Sequence, residues 1–461
     1  MGQGILPFAF KSTPRPMDLT ARAGLTLVSE AMLALGLDDV VGAQLSLRRR
    51  KRGFSEFDKL HAVVLVQAAG GECVEDVEVL ARDAGLVRLV ERPWPSPDAL
   101  HAFLAGFHDD VQMGSRPAEG AWIPEENAAL RGLAEVNREL VHRIVAPITA
   151  SRATLDLDAT VIESHKREAR PHYKGGRGYQ PTAVLWAEQD LVVADQYRDG
   201  NVPAGMHTPE VARRAVAALP AGVKERYFRG DSACYDEKLL KYLVKEEFSF
   251  TISADMTPEL RRVCTQPDLG WALLEGRPRE TVDFAEVEFT PGNWPKTASP
   301  LRYVALRISP CQASLFSDLP KYLAVVSNRW QISAADLVRW HWEKAGTIEL
   351  THDVTKNELA AGIPPSSKFG ANAAWYRINL LTYNLLTVLR RHALPDRFRQ
   401  ARPKRLRYEV FTIAAEISNH ARQLTARLGA PPLTADELIS ARGRLRDLQA
   451  TLRALAPAAG A

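Results

Sequence analysis

Hydrophobic positions recur at helical spacing from residue 18 to about 145. The stretch "LTARAGLTLVSEAMLALGL" places apolar residues three and four apart and runs to a glycine, the pattern of an amphipathic helix. "EFDKLHAVVLVQAAGG" predicts a second helix, "CVEDVEVLARDAGLVRLV" a third and "PSPDALHAFLAGFH" a fourth. In the fourth, Ser96 suits the N-cap and Pro97 the first helical position. A long helix over roughly 123–145 closes this segment.

The period changes to two near residue 150. "ATLDLDATVIE", "PTAVLWAE", "LVVADQYRDGN" and "ERYFRGD" read as strands, with helices at "TPEVARRAVAALP" and "YDEKLLKYLVKEE". Residues 247–330 turn β-rich again through "FSFTISAD", "ETVDFAEVEFT", "LRYVALRIS" and "KYLAVVSN". "ISAADLVRWHWEKAGTIELTHDVTKNELAAG" then predicts one long helix capped by Ser333, and "FGANAAWYRINLLTYNLLTVLRRHAL" a core helix. A final helix is expected near 435–456. Strands followed by alternating helices and strands indicate a mixed α/β protein. The expected boundaries are 1–149 (helical), 150–246 (first α/β part), 247–330 (β-rich insert), 331–395 (second α/β part) and 396–461 (basic and helical).

Composition narrows the class. The 461 residues are enough for two or three domains, and 46% hydrophobic with 25% charged content is that of a globular protein. The net charge is only +4, so the distribution of charge matters more than its total. Arg48, Arg49, Arg50, Lys51 and Arg52 run in succession, and a second basic cluster spans 398–407. Short helices beside the first run fit a helix-turn-helix type of DNA-binding module; a helical bundle with a solvated charged face fits equally well. Cys73, Cys234, Cys264 and Cys311 form neither a CxxC zinc pair nor a disulfide framework, so a reducing cytoplasmic compartment is expected. The start lacks the pattern of a signal peptide, and no apolar run is long enough to span a bilayer, so no membrane partner is expected.

The strand "TLDLDATVIES" carries the candidate chemistry. Leu155, Leu157, Ala159 and Val161 share one face; Thr154, Asp156, Asp158 and Thr160 share the other. Two carboxylates thus project about 7 Å apart from one face of an element usually poor in Asp. Spacing does not rank Asp156 against Asp158. Asp231 follows a later strand and Glu349 lies on the long helix, although alone the first reads as an N-cap and the second as a solvated acid. Strand-end and helix carboxylates suit hard Mg²⁺, and two such ions about 3.5–4 Å apart serve phosphoryl transfer.

In the order Asp158, Asp231, Glu349 the sequence resembles the Asp-Asp-Glu (DDE) transposases of bacterial insertion sequences. "LDLDATVIES" resembles their first-acid strand, and "RGDSACYDEKLL" their second-acid turn. "YKGGRGYQP" and "YRDGN" resemble elements between those acids. The resemblance points to the insertion sequence 1380 type (transposase DDE domain group 1), within the branch bearing a Tyr-x2-Arg-x3-Glu-x6-Lys signature. The matching positions hold Trp342, Ala345, Glu349 and Lys356, so Glu and Lys match, an aromatic replaces Tyr, and the Arg is absent, with Lys344 beside it. The resemblance implies a ribonuclease H-like core of mixed sheet and helices, interrupted by a β-rich insertion domain and preceded by an all-helical DNA-binding domain. It favours Asp158 over Asp156.

It further implies that Asp158, Asp231 and Glu349 bind two Mg²⁺ ions, with Mn²⁺ able to substitute, and cleave double-stranded DNA at terminal inverted repeats before strand transfer into target DNA. A homodimer is expected from synapsis of two ends. Residues seven apart on a helix share a face, so Trp342, Glu349 and Lys356 are expected to align, with Gly346 and Thr347 keeping the helix slim and Lys356 on a DNA phosphate. Lys174, Arg177 and Arg198 are further phosphate candidates, Arg198 alternatively closing a turn. Trp271 and Trp294 read as core or loop anchors, and His341 and His352 as bystanders. A ribonuclease H-like nuclease that does not transpose, and a domesticated transposase that binds without cutting, are the rival readings.

Overall fold

The computed structural model describes residues 18–47, 53–292, 294–295, 298–311, 319–429 and 432–455. Its central feature is a nine-stranded mixed sheet. The strands are β1 (Arg152–Ala159), β2 (Thr182–Trp186), β3 (Leu191–Gln196), β4 (Glu225–Gly230), β5 (Ser249–Ser253), β6 (Ala272–Gly276), β7 (Glu280–Val287), β8 (Arg302–Pro310) and β9 (Lys321–Ser327). Their spatial order is β6-β7-β8-β9-β5-β4-β1-β2-β3. β1, β2 and β3 run antiparallel in sequence, and β4 and β5 join parallel on the other side of β1. This is the arrangement expected of a ribonuclease H-like core. Parallel neighbours need crossovers; helices Thr208–Ala217 and Glu237–Lys245 lie in them.

Register positions the candidate acids. Asp156 lies opposite Arg229 and Leu157 opposite Gly230 in the parallel β1–β4 pair. One residue further on, Asp158 and Asp231 leave adjacent strands side by side, where strand spacing is about 4.8 Å. The alternation read from the sequence holds, but both faces of β1 are covered: Leu155 and Leu157 are buried, and so are Thr154 and Asp156.

The β-rich insert does not close on itself as a separate sheet. Strand β5, expected to open it, pairs in parallel with β4 of the core. Strands β6 to β9 then extend the same sheet, joined to β5 through Val325–Ser253, Val326–Ile252 and Ser327–Thr251. Leu274, Val282, Val304, Leu306 and Val325 of this half form an apolar cluster with Ala334, Leu337 and Val338.

The N-terminal helices share the core of the half of the sheet that holds β1 to β5. Helices α1 (Glu56–Ala69) and α2 (Ala128–Val145) pack on a central helix, Phe369–Val388, in which every residue is buried. Polar bonds cross the contact: Thr382 Oγ1 donates to Gln67 Oε1 at 3.0 Å, and Asn384 Nδ2 to Asn137 Oδ1 at 2.9 Å. The Ser55–Asp58 capping box starts α1, and Gly70, at φ 91°, ends it in a left-handed conformation open chiefly to glycine. Ser96 caps Pro97–Ala105 as expected. The third predicted helix breaks into Val77–Ala81 and Ala84–Val90, because Asp83 turns to accept from Leu86 N and cap the second piece.

Two features lie outside the expected elements. Leu19–Thr20 is a short strand paired with Ala415–His420, which forms a hairpin with Gln423–Leu428. Helix Pro432–Leu455 packs against Thr26–Ala34, so the two ends of the described chain meet. Among the described residues no helix is long and apolar enough to cross a membrane.

Candidate active site

The segment predicted as one helix from Ser333 onward is two. Ser333 caps α3 (Ala334–Trp342), and α4 (Ile348–Glu358) starts afresh after a single tight turn at Glu343–Gly346. Thr347 has φ −117° and ψ −94°, outside the helical region. Its hydroxyl turns inward to Asp156 and lies 3.1 Å from the Lys344 carbonyl. The break corrects the expected alignment. Trp342 belongs to α3, where it packs on the insert cluster with the Arg277 guanidinium 5.0 Å above its ring. It does not share a face with Glu349 and Lys356, which remain together on α4.

The two strand carboxylates have separate fates. Asp156 is fully buried, and its two oxygens accept from Arg229 Nε at 2.6 Å and Nη2 at 2.8 Å. Arg229 also donates through Nη1 to the Trp340 carbonyl at 2.9 Å and to Glu343 at 3.0 Å, tying β1 and β4 to the end of α3. Sharing a strand face with Asp158 does not give Asp156 the same surroundings, since its oxygens are engaged in this network. Asp158 lies beyond it and faces the ammonium of Lys344 at 3.4 Å.

Lys344 is the residue the sequence reading passed over. Its Nζ lies 3.4 Å from Asp158 and 3.5 Å from Glu349, while the residue is only 7% exposed. Burial disfavours its charge, but Asp158, Asp231 and Glu349 together outweigh burial and hold its pKa above the usual lysine value. Asp231 caps a short turn by accepting from Ala233 N at 3.1 Å. Burial, and then repulsion from Asp158, push its carboxyl pKa upward. Gly230 is required before it: a Cβ there would lie 2.5 Å from Cys234 Sγ. His352 is buried against the Asp158 backbone, and burial pushes its pKa down to about 4, so the ring is neutral at pH 7.

The donor chemistry suits a hard divalent cation, since three carboxylates act on the one ammonium of Lys344. Among the described residues, however, no group of three His, Cys, Asp or Glu side chains is arranged to grip a metal as it stands. The Lys344 ammonium is the positive charge beside Asp158 and Glu349.

The phosphate candidates divide. Lys356 Nζ lies 3.4 Å from the Val161 carbonyl, beside β1. Burial, and then the charge of nearby Lys174, lower its pKa. Lys174 is exposed in a turn next to exposed Tyr173. Arg177 is exposed but spans its own hairpin, donating to the Arg167 carbonyl at 3.0 Å. Arg198 is not a surface cation: it is fully buried, donating to Gln196 and to the Ala204 carbonyl at 2.9 Å each, and it closes the 196–204 loop. Arg48, Arg49, Arg50, Lys51 and Arg52 lie outside the described residues. Much of the second basic cluster is engaged internally, Arg402 with Asp353 and Glu358, Arg405 with Glu409. Trp294 anchors its loop by donating to the Ser299 carbonyl, and Trp271 stacks with Arg307.

Comparison with curated proteins finds no match. Among solved structures, the chain is similar to the piggyBac transposase synaptic complex with hairpin DNA, at 13% identity and a TM-score of 0.45, over 95% of this chain and 85% of that one. It is similar to the Mos1 transposase paired-end complex with the left transposon end at 12% identity and a TM-score of 0.17, over 44% of this chain and 60% of the Mos1 chain. The Mos1 strand transfer complex gives 14% identity, a TM-score of 0.16 and the same coverage. The family model described as transposase DDE domain group 1 matches residues 16–450, nearly the whole chain. The protein therefore belongs to the DDE transposases of domain group 1.

Proposed function

We propose that the protein is a cut-and-paste DNA transposase whose catalytic and metal-binding carboxylates are Asp158, Asp231 and Glu349. One observation carries the reading: two acids at the ends of adjacent parallel strands and a third on α4 converge on a single positive charge. Two Mg²⁺ ions, with Mn²⁺ able to substitute, would supply Lewis-acid activation of the attacking oxygen and stabilise the leaving one.

The chain's own residues hold the DNA against these acids. Lys356 and Lys174 bring two like charges near each other beside Asp158, an arrangement that a phosphate between them relieves. In the first step a water oxygen bonds to phosphorus at the transposon end, and the bond from phosphorus to the 3′ oxygen breaks, leaving a 3′-hydroxyl. In the second that hydroxyl bonds to a target phosphorus and displaces a target 3′ oxygen. Double-stranded DNA carrying terminal inverted repeats is the first partner and target DNA the second. Two ends must be held together, which calls for a homodimer in the synaptic complex.

The test is cleavage of a supercoiled plasmid carrying the candidate ends, with Mg²⁺, with Ca²⁺ and with Glu349→Gln. Nicking at the element boundary that needs Mg²⁺ and is lost in the variant is the expected result. Binding without cutting under every metal would leave a DNA-binding protein and refute the catalytic assignment.

A further inference from the structure

We propose that the Lys344 ammonium is the resident cation of the carboxylate site: it holds Asp158 and Glu349 together in the metal-free protein and gives up its place when a divalent metal binds. The inference rests on the reading of those acids as metal ligands.

The geometry carries it. Lys344 Nζ lies between Asp158 and Glu349, at 3.4 and 3.5 Å, and among the ion pairs of the described residues no other cation bridges them. These distances exceed the about 2.7–2.9 Å of a tight ammonium–carboxylate bond, so the contact is a loose electrostatic clasp. Mg²⁺ requires oxygens at about 2.0–2.1 Å. The carboxylates have to close inward on it, into the space the ammonium now takes. An ammonium and a dication repel, so the two do not share that space.

Lys344 is also placed so that it can leave. It lies on the single turn between α3 and α4, followed by exposed Ala345 and Gly346. A Cβ built at Gly346 would meet nothing within 4 Å, so the turn has open space beside it. Four flexible methylenes carry the charge. Once displaced, its natural partner is a phosphate of the DNA brought to the same acids. One side chain would thus neutralise the acids before metal arrives and contact the substrate afterwards. It stands beside the signature arginine position, occupied here by Ala345.

Two measurements on the full chain test this. The first is Mn²⁺ titration, followed by electron paramagnetic resonance, of wild type, Lys344→Met and Glu349→Gln. Methionine keeps a similar stem and removes the charge. The expected result is Mn²⁺ binding about tenfold tighter in Lys344→Met, a free-energy change of about 1.4 kcal/mol, with binding weakened in Glu349→Gln. Unchanged or weaker binding in Lys344→Met, alongside weakened binding in Glu349→Gln, overturns the inference alone. Unweakened binding in Glu349→Gln removes the carboxylate reading and the inference with it.

The second measurement needs no variant. Acetylation of lysines in the wild-type protein is mapped by mass spectrometry with and without Mg²⁺. Release from the carboxylates should raise labelling at Lys344 several-fold when Mg²⁺ is added, against a reference such as Lys241. Labelling that stays flat or falls overturns the proposal.

Discussion

The guanidinium of Arg229 grips Asp156 through two parallel donors, at 2.6 and 2.8 Å, and both side chains are closed to solvent. Two residues later on the same strand face, Asp158 meets Lys344 instead. One strand therefore supplies a carboxylate locked in a buried pair and, on the proposed function, a catalytic one.

That division predicts opposite phenotypes. Asp156→Asn leaves the Arg229 charge buried without its main partner and should cost about 3–5 kcal/mol, the usual penalty for breaking a buried pair from one side. Asp158→Asn should stay within about 1 kcal/mol of wild type while end cleavage falls to background. Urea denaturation and plasmid nicking on both variants read the difference. Equal destabilisation by the two substitutions would refute the division.

The second acid depends on a glycine. A methyl at position 230 would meet Cys234 Sγ at 2.5 Å and Cβ at 2.6 Å, so Gly230→Ala must push the Asp231 turn outward. Overpacking of this kind costs about 1–3 kcal/mol, and a misplacement near 1 Å can lower a rate about a hundredfold. Cleavage should drop by at least tenfold, and adding Cys234→Gly, which removes both clashing atoms, should restore part of it. A Gly230→Ala enzyme with wild-type rate would show that the turn absorbs the methyl.

Much of this site was legible from local pattern. The period-two alternation of residues 154–161 set the shared face of the two Asp residues, and the turn after "ERYFRG" put Asp231 at a strand end. Ser96 and Ser333 cap where expected, since a cap depends on neighbours within a few residues. The break at Thr347 was not legible. The helical period runs through it, and what interrupts it is a hydroxyl bonded to Asp156, 191 residues away. Lys344 is hidden from local pattern for a related reason: its ion pairs with Asp158 and Glu349, and the nearby charge of Asp231, exist only once β1, β4 and α4 have assembled. Of the two readings of Arg198, phosphate contact and turn closure, the second holds, because the 196–204 loop folds over the guanidinium. The Ala415–Leu428 hairpin did leave a signal, in the alternation of "AEISNH" and "QLTARL", that was overshadowed by the basic run before it.

Lys356 and Lys174 should reveal themselves through salt. A phosphate contact releases counterions, so each lysine lost should reduce the slope of log affinity against log salt by about one. Lys356→Ala is expected to weaken binding to end and random DNA alike, with the slope reduced by that amount. An unchanged slope measured by fluorescence anisotropy between low and moderate salt would place Lys356 away from phosphate.

Stability should fall on mild acidification, because three imidazoles are buried neutral, those of His61, His341 and His352, the last also pushed down to about 4 by burial. His61, bonded to Ser29 Oγ at 2.8 Å, and His341, bonded to Ser253 and Thr251, are both pushed down to about 4, chiefly by burial. An unfolded chain protonates its histidines near 6.5. Between that pH and about 4 the unfolded state binds protons that the folded state refuses, so stability declines as pH falls through this window, by at most about 3 kcal/mol per residue. Asp199 works the other way. Burial raises its carboxyl to about 6 despite Arg116, so the folded protein takes up its proton first, and stability from this group grows as pH falls from about 6 towards 4. Three imidazoles oppose one carboxyl, and the net effect is a loss. Urea midpoints at pH 7.5, 6 and 5 should fall in that order, and His61→Gln, which keeps a polar group for Ser29 and removes one titrating site, should flatten the decline by up to half. An equally steep decline in the variant would assign the acid sensitivity to other groups.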